Sequence, residues 1–268
     1  MNAATLSDRE FNQFSDMIYR IAGISLSPAK KPLVSSRLSK RLHEHRLSSY
    51  GEYFQVLSGG KNPDEIQIAV DLLTTNETYF FREPKHFDYL RDKILPQHPA
   101  GRAFRVWSAA SSSGQEAYSI AMTLADQLGG QPWDIVASDI STRVLEKARS
   151  GQYPLEQAKH IPQKHLNDFC LKGIGSQNGT FLIERNLRSR VDFRQVNLNT
   201  TLPKLGEFDV VFLRNVMIYF DTDTKRQVVN RITTQLKSGG HLLIGHSESL
   251  NGVVDNLKMI QPSVYRKP

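Results

Sequence analysis

The chain has 268 residues, 39% hydrophobic and 23% charged, the profile of a globular protein of one large domain or one domain with a small partner. No apolar run approaches the ~20 residues of a membrane-crossing helix, and the single cysteine, Cys170, excludes an internal disulfide. The formal net charge of +7 points to an acidic partner without choosing between nucleic acid, anionic lipid and an acidic protein surface.

The first segment, Met1–Asp8, has neither a basic nor an apolar signal region, so a cytoplasmic protein that is not membrane-inserted is expected. Ser7-Asp8-Arg9-Glu10 reads as a capping box. Phe11, Phe14, Ile18 and Ile21 then predict a helix over 8–22. A second helix is expected from Leu33 to His45, with Leu38 and Leu42 on its apolar stripe. Arg37, Lys40, Arg41 and His43 occupy its other faces, with Arg46 just beyond. A short helix near Tyr50–Leu57 stops at Gly59-Gly60, and Asn62-Pro63 marks the N-cap and first turn of a fourth. No strand pattern precedes residue 100, so residues 1–75 are expected to form an all-helical unit, joined through 76–85 to the rest.

From residue 86 to 268 the pattern changes. A helix at Lys85–Leu95 leads to a strand containing Phe104, Val106 and Trp107, then a run of small residues from Ser108 to Gly114. Helical spacing resumes at Ala117, Ile120, Ala121 and Leu124. Further strands are expected at Asp134–Ser138, Val191–Val196, Asp209–Leu213, His241–Gly245 and Ser263–Arg266, with helices at Thr142–Arg149 and Thr224–Leu236. This alternation predicts an α/β fold with a doubly wound parallel sheet. The stretch from Gly151 to Ser189 is too long for an ordinary connection. It carries a predicted helix at Pro162–Phe169 and the glycines Gly173, Gly175 and Gly179, the last within Gln177-Asn178-Gly179, a hairpin signal. An inserted antiparallel β-subdomain over 160–190 is therefore expected.

A turn of small residues between a strand and a helix lets a ligand approach the backbone and the free N–H groups of the helix start. Nucleotide-type cofactors sit there in open α/β sheets, although the dinucleotide G-x-G-x-x-G is absent. Asp139 ends the second strand, where an acid either accepts ribose hydroxyls or caps the next helix. Glu116, in the first turn of its helix, either complements the helix dipole or holds a cationic amino group. Asn197 and Asn215 end strands at the ligand-binding edge, or are plain turn residues. Arg82 follows Tyr79, Phe80 and Phe81, giving either a partly desolvated anion site or a linker arginine paired with Glu83. His241 and His246 lack acids at ligand spacing, no G-x-S-x-G occurs, and no RNA-binding signature is present, so no metal and no nucleic acid are expected.

Taken together, Asn76-x-Thr78-x-Phe80-Phe81-Arg82-Glu83, Val106–Ala110, Ser113–Ala121, Ala137–Ile140, Arg214–Phe220 and Gly245–Glu248 resemble the CheR family of chemotaxis receptor methyltransferases, in order and over nearly the whole chain. Gln115-Glu116-Ala117 departs from the Glu-Glu-Pro often found there, while Glu116 still supplies the acid. The resemblance implies a Rossmann-like methyltransferase sheet and S-adenosylmethionine-dependent methylation of glutamate side chains on chemotaxis receptors. The products would be glutamate methyl esters and S-adenosylhomocysteine, in sensory adaptation. It implies that Asn76, Thr78 and Arg82 line the cofactor pocket, that Glu116 holds the methionine end and Asp139 the ribose, and that Asn197-Leu198 and Arg214-Asn215 close the adenosine side. Arg82 and Tyr219 would lie near the transferred methyl. Arg37, Lys40, Arg41 and Arg46 would face the receptor's acidic methylation helices. The glycine-bearing loop of Gly173, Gly175 and Gly179 would bind a receptor C-terminal tethering peptide.

Overall fold

Four helices open the computed structural model, which describes residues 4–268; residues 1–3 of the expected helical unit lie outside the described residues. They are α1 (Asp8–Ala22), α2 (Lys31–Glu44), α3 (Tyr50–Ser58) and α4 (Pro63–Leu73). The capping box at the start of α1 forms: the Ser7 hydroxyl accepts from Glu10 N–H, and the Glu10 carboxylate accepts from Ser7 N–H at 2.8 Å. α2 begins two residues before Leu33, because Pro32 is tolerated in a first turn that needs no N–H. Phe14, Ile18, Val34, Leu38, Tyr53 and Ala69 fill a core of their own and are fully buried.

The remaining elements are α5 (Lys85–Tyr89), which continues through wider and tighter turns to Gln97, β1 (Phe104–Ser108), α6 (Gln115–Leu128), β2 (Trp133–Asp139), α7 (Thr142–Ser150), β3 (Gln152–Pro154), α8 (Gln163–Phe169), β4 (Cys170–Lys172), β5 (Thr180–Ile183), α9 (Arg185–Arg188), β6 (Val191–Gln195), β7 (Phe208–Leu213), α10 (Thr222–Thr234), β8 (Leu236–Ile244), β9 (Lys258–Gln261) and β10 (Val264–Arg266). The main sheet has the order β6-β2-β1-β7-β8-β10-β9. Its first five strands run parallel, and β10 is antiparallel to both neighbours. One cluster of apolar residues packs on each face of the sheet, so the α/β fold is doubly wound. The chain leaves β1 toward β2 on one side and returns as β7 on the other, which makes the carboxyl end of β1 the switch point where ligands bind.

Three details differ from the expectation. The strand expected at His241–Gly245 begins earlier, at Leu236, and Gly239-Gly240 kinks inside it: Gly239 takes a left-handed φ of 78°, and the ladder shifts register between Phe208 and Val210. β9 was not foreseen, because all four of its residues are exposed at the sheet edge and show no alternation. The inserted antiparallel sheet has three strands in the order β3-β5-β4, so it starts at Gln152, before residue 160. A three-residue strand is too short to carry a pattern. Its Tyr153 is fully buried against Phe80 and Phe181 and donates to Ser113 O at 2.7 Å, which roots the insertion beneath the small-residue turn. There Gly114 has φ 94°, and a Cβ on it would lie 2.9 Å from both Ala148 Cβ and the Tyr153 hydroxyl.

The helical unit is fastened over the carboxyl edge of the sheet. Asp71 of α4 accepts from Thr142 N–H, Arg143 N–H and the Thr142 hydroxyl, capping α7 across the boundary. Asn197 donates to Ile21 O at 2.7 Å, Tyr19 to Asp221 at 2.7 Å, and Ser25 N–H to Tyr219 O at 2.8 Å.

Candidate active site

A cavity opens at the switch point, where the strand ends of the sheet face the helical unit. Ala109, Ala110 and Ser112 after β1 form its floor, and Asp139-Ile140 after β2, Val196–Leu198 after β6 and Arg214–Val216 after β7 form its walls. Thr74–Tyr79 and Arg82 close one side, and Ala22 and Ile24 of the helical unit close the top. Asn76, Thr78, Arg82, Glu116, Asp139, Asn197, Leu198, Arg214, Asn215 and Tyr219, dispersed along the sequence, all line this one cavity.

Asp139 is 8% exposed; one carboxylate oxygen accepts from Ser112 N–H and the other from Ser141 N–H, both at 2.9 Å. Burial pushes its carboxyl above the usual range, and the backbone donors of Ser141, Ser112 and Ile140 oppose this. Since Asp71 caps α7, Asp139 does not serve as that cap, and each of its oxygens keeps a second lone pair for a ligand. Glu116 is held by the Ser108 hydroxyl at 2.6 Å and by Arg214 Nη1 at 2.9 Å. The Arg214 guanidinium is 1% exposed, lies over the Phe87 ring and also pairs with Glu83 at 3.0 Å. Burial raises the Glu83 carboxyl, but the Arg214 charge and the Asn215 and His246 donors outweigh it and hold it below the usual range.

Glu83 is therefore spoken for, and the linker pairing with Arg82 does not form. Arg82 instead donates to Glu77 O at 3.0 Å and sits over the Tyr79 ring. Asn215 adopts a left-handed φ of 56°, and its side chain donates to Glu83. Glu248 accepts from the N–H groups of Gly245, Asn215 and Ile218, tying the β7 and β8 edges together. Both acids stand inside the motifs, but the sequence offers Glu83 only its neighbour Arg82 and offers Glu248 no partner, because Arg214 and Asn215 lie far away along the chain.

The same distance hid a cluster of Glu83, His86 and His246, whose donor atoms lie within 4.8 Å of one another. Arg214 already supplies the positive partner of Glu83 there. Burial, and then the Arg214 charge, push His86 down to about 3.

The second helix needs a correction. The expected open face of four cations is reduced to exposed Lys40 and Arg46. Arg41 turns inward onto Glu65, donating from Nε at 2.8 Å, with Tyr53 donating to the same carboxylate at 2.7 Å. Arg37 donates to Leu73 O, Thr74 O and the Thr75 hydroxyl, bracing the cavity wall. Burial pulls its pKa down, and the nearby Tyr219 phenol opposes this. Helical spacing shows which residues share a face, not which long side chains fold back. Gly173, Gly175 and Gly179 lie in the turn region between β4 and β5, away from the cavity.

The donor set fits S-adenosylmethionine: a carboxylate, Glu116, of the sign needed by an ammonium group, a second, Asp139, with free lone pairs for vicinal hydroxyls, and apolar Ile140, Val196, Leu198 and Val216 for a flat base. Residues 76–266 match the domain described as "CheR methyltransferase, SAM binding domain". Fold, cavity and match define the class, an S-adenosylmethionine-dependent methyltransferase. Residues 9–74 match "CheR methyltransferase, all-alpha domain". The chain is 42% identical over 267 residues to the chemotaxis protein methyltransferase of Escherichia coli strain K12, covering 97% of this chain and 91% of that protein. It is 43% identical over 259 residues to chemotaxis protein methyltransferase 2 of Pseudomonas aeruginosa, covering 96% and 92%. The protein belongs to the CheR family of chemotaxis protein methyltransferases. No helix among the described residues is long and apolar enough to cross a membrane.

Proposed function

We propose that the protein esterifies glutamate side chains in the cytoplasmic part of chemotaxis receptors. The observation that carries this reading is the convergence of Glu116 and Asp139 on one cavity with Arg82 and Tyr219 on its lining. When bound, S-adenosylmethionine supplies a methyl group on a positive sulfur, which leaves as a neutral thioether. A glutamate side chain has a reference pKa near ~4.3, so the acceptor is already a carboxylate at neutral pH and no general base is needed. The new C–O bond takes its electron pair from the carboxylate, and no proton moves. Charge is neutralised along the reaction, so strong stabilisation of a developing charge would gain little.

The work of the chain is then positioning and exclusion of water. Asp139 holds the ribose hydroxyls, and Glu116, oriented by Arg214 at 2.9 Å, holds the amino end. Arg82 and Tyr219 orient the acceptor or the reacting end of the donor. The inserted sheet suits a second contact with the receptor. Among the described residues β4 pairs only with β5, leaving one edge open to an added strand, and Leu171 and Ile174 beside it are 51% and 81% exposed. A receptor C-terminal peptide lying along this edge and the turn of Gly173, Gly175 and Gly179 would tether the enzyme.

The test uses S-adenosylmethionine labelled in the methyl group with a receptor cytoplasmic fragment. Ester methyl groups leave as methanol in mild base, whereas N-methyl or ring-methyl groups stay. Base-stable label would overturn the reading, and removing the last residues of the receptor tests the tether.

A further inference from the structure

Glu248 stands behind the wall of the cofactor cavity, outside its lining. The turn Gly245–Glu248, closed by Glu248 N–H donating to Gly245 O at 2.9 Å, aims its side chain at the segment that leaves β7. Oε2 accepts from Gly245 N–H at 2.7 Å and from Asn215 N–H at 2.9 Å, and Oε1 accepts from Ile218 N–H at 3.2 Å. Burial raises this carboxyl, and the N–H groups of Gly245, Asn215, Met217 and Ile218 oppose the rise. The carboxylate thus gathers main-chain donors as a bound anion does in a nest of N–H groups. Gly245 makes room for it: a Cβ there would lie 2.6 Å from Asn215 Nδ2 and 2.8 Å from Glu248 Oε2.

The gripped segment carries residues of the cavity. Asn215 keeps its left-handed φ of 56°, a conformation that a residue with a Cβ holds only where its surroundings impose it. A single helical turn, Met217–Tyr219, follows, with Met217 buried and Tyr219 on the cavity lining. Ser25 N–H donates to Tyr219 O at 2.8 Å, which holds the backbone of that turn from the other side. Among the described residues the Tyr219 hydroxyl makes no hydrogen bond, so the place of its ring follows from the backbone that carries it.

We propose that Glu248 is a positioning residue for methyl transfer: by holding Asn215 left-handed and the Met217–Tyr219 turn closed, its carboxylate fixes the Tyr219 ring at the reacting end of the cavity without touching cofactor or acceptor. This rests on the role given to Tyr219 above and adds what keeps that residue in place.

The test compares the full-length enzyme with Glu248→Gln, Tyr219→Phe and the double variant. Glutamine keeps one oxygen for Gly245 and Asn215 but turns an amide NH2 group toward Ile218 N–H, so it frees the turn with the least disturbance elsewhere. In methyl transfer to a receptor cytoplasmic fragment, Glu248→Gln is expected to lower kcat by roughly tenfold or more. KM for the fragment, and S-adenosylhomocysteine affinity by calorimetry, should stay within about twofold of the parent. The double variant should be no slower than the slower single one, because losses at residues that act through one another do not add. Parental kcat in folded Glu248→Gln, a cofactor affinity that falls in step with kcat, or losses that multiply in the double variant would overturn the proposal.

A fluorine reporter gives a readout without turnover. With 3-fluorotyrosine in place of Tyr219, the fluorine resonance should move or broaden on Glu248→Gln, and an unchanged resonance overturns the placement. A moved resonance together with parental turnover by Tyr219→Phe would leave the placement standing and sink the role of Tyr219 in the reaction instead.

Discussion

Arg214 and Glu116 meet at 2.9 Å although 98 positions separate them in the chain. The guanidinium that ends β7 fixes the acid that begins α6, and the same group grips Glu83 from the linker. One buried cation thereby locks three segments of the cavity wall into register.

Arg214→Met is expected to leave two acids without their charge partner in a largely buried site, a cost of about 3–5 kcal/mol of stability. S-adenosylhomocysteine binding should weaken as well. Arg214→Lys should not restore either, because an ammonium group cannot serve both acids with a rigid planar fork. Urea midpoints and calorimetry check this, and a midpoint equal to the parent's would refute it.

Asp139→Ala should weaken S-adenosylhomocysteine by roughly ten- to a hundredfold, the range for hydrogen bonds to a charged group. Ser112 and Ser141 lose an acceptor in that variant, so its urea midpoint must be read beside the calorimetry. Asp139→Asn keeps one acceptor and should fall between.

Arg82→Ala should lower kcat sharply while leaving the fold intact. Among the described residues its side chain makes one hydrogen bond, to Glu77 O, and one ring contact, with Tyr79. Undiminished methyl transfer by a folded variant would remove Arg82 from the chemistry.

The Glu65 carboxyl is raised by burial, but the hydrogen bonds from Arg41, Tyr53 and His45 outweigh this and bring it down to about 2. A folded value below the unfolded 4.5 means that the unfolded chain takes up the proton first. The stabilisation, on the order of 3 kcal/mol, is therefore complete above pH ~4.5 and is lost as pH falls from there toward ~2. Glu65→Gln should flatten that acid limb. Arg41→Ala should destabilise strongly by leaving Glu65 buried and unpaired, whereas Lys40→Ala, with its side chain 83% exposed, should leave the midpoint unchanged.

Much of this architecture was legible one residue at a time. The Ser7–Glu10 box, the apolar spacing of α1, α6 and α7, and the Val210–Leu213 run each point to one local structure, because spacing alone decides which side of a helix or strand is buried. Strands β3 and β9 were not legible: one is too short to show a period, and the other is exposed throughout. Asp139, Glu116, Asn197, Asn215 and Arg82 stood out by their own positions, and the resemblance of motifs added Asn76, Thr78, Leu198, Arg214 and Tyr219 to the cavity; how these residues are arranged was not legible.

Local chemistry along the chain determined a helical unit, a doubly wound sheet and the acids at its carboxyl edge. Only the tertiary structure decided that Glu83 pairs with Arg214 rather than its neighbour Arg82, that Arg41 turns onto Glu65, and that Asp71 rather than Asp139 caps α7. The reason is physical. A buried charge requires a partner of opposite sign within a few ångströms, and which partner is available depends on the crossing of distant segments, to which no periodicity or spacing refers.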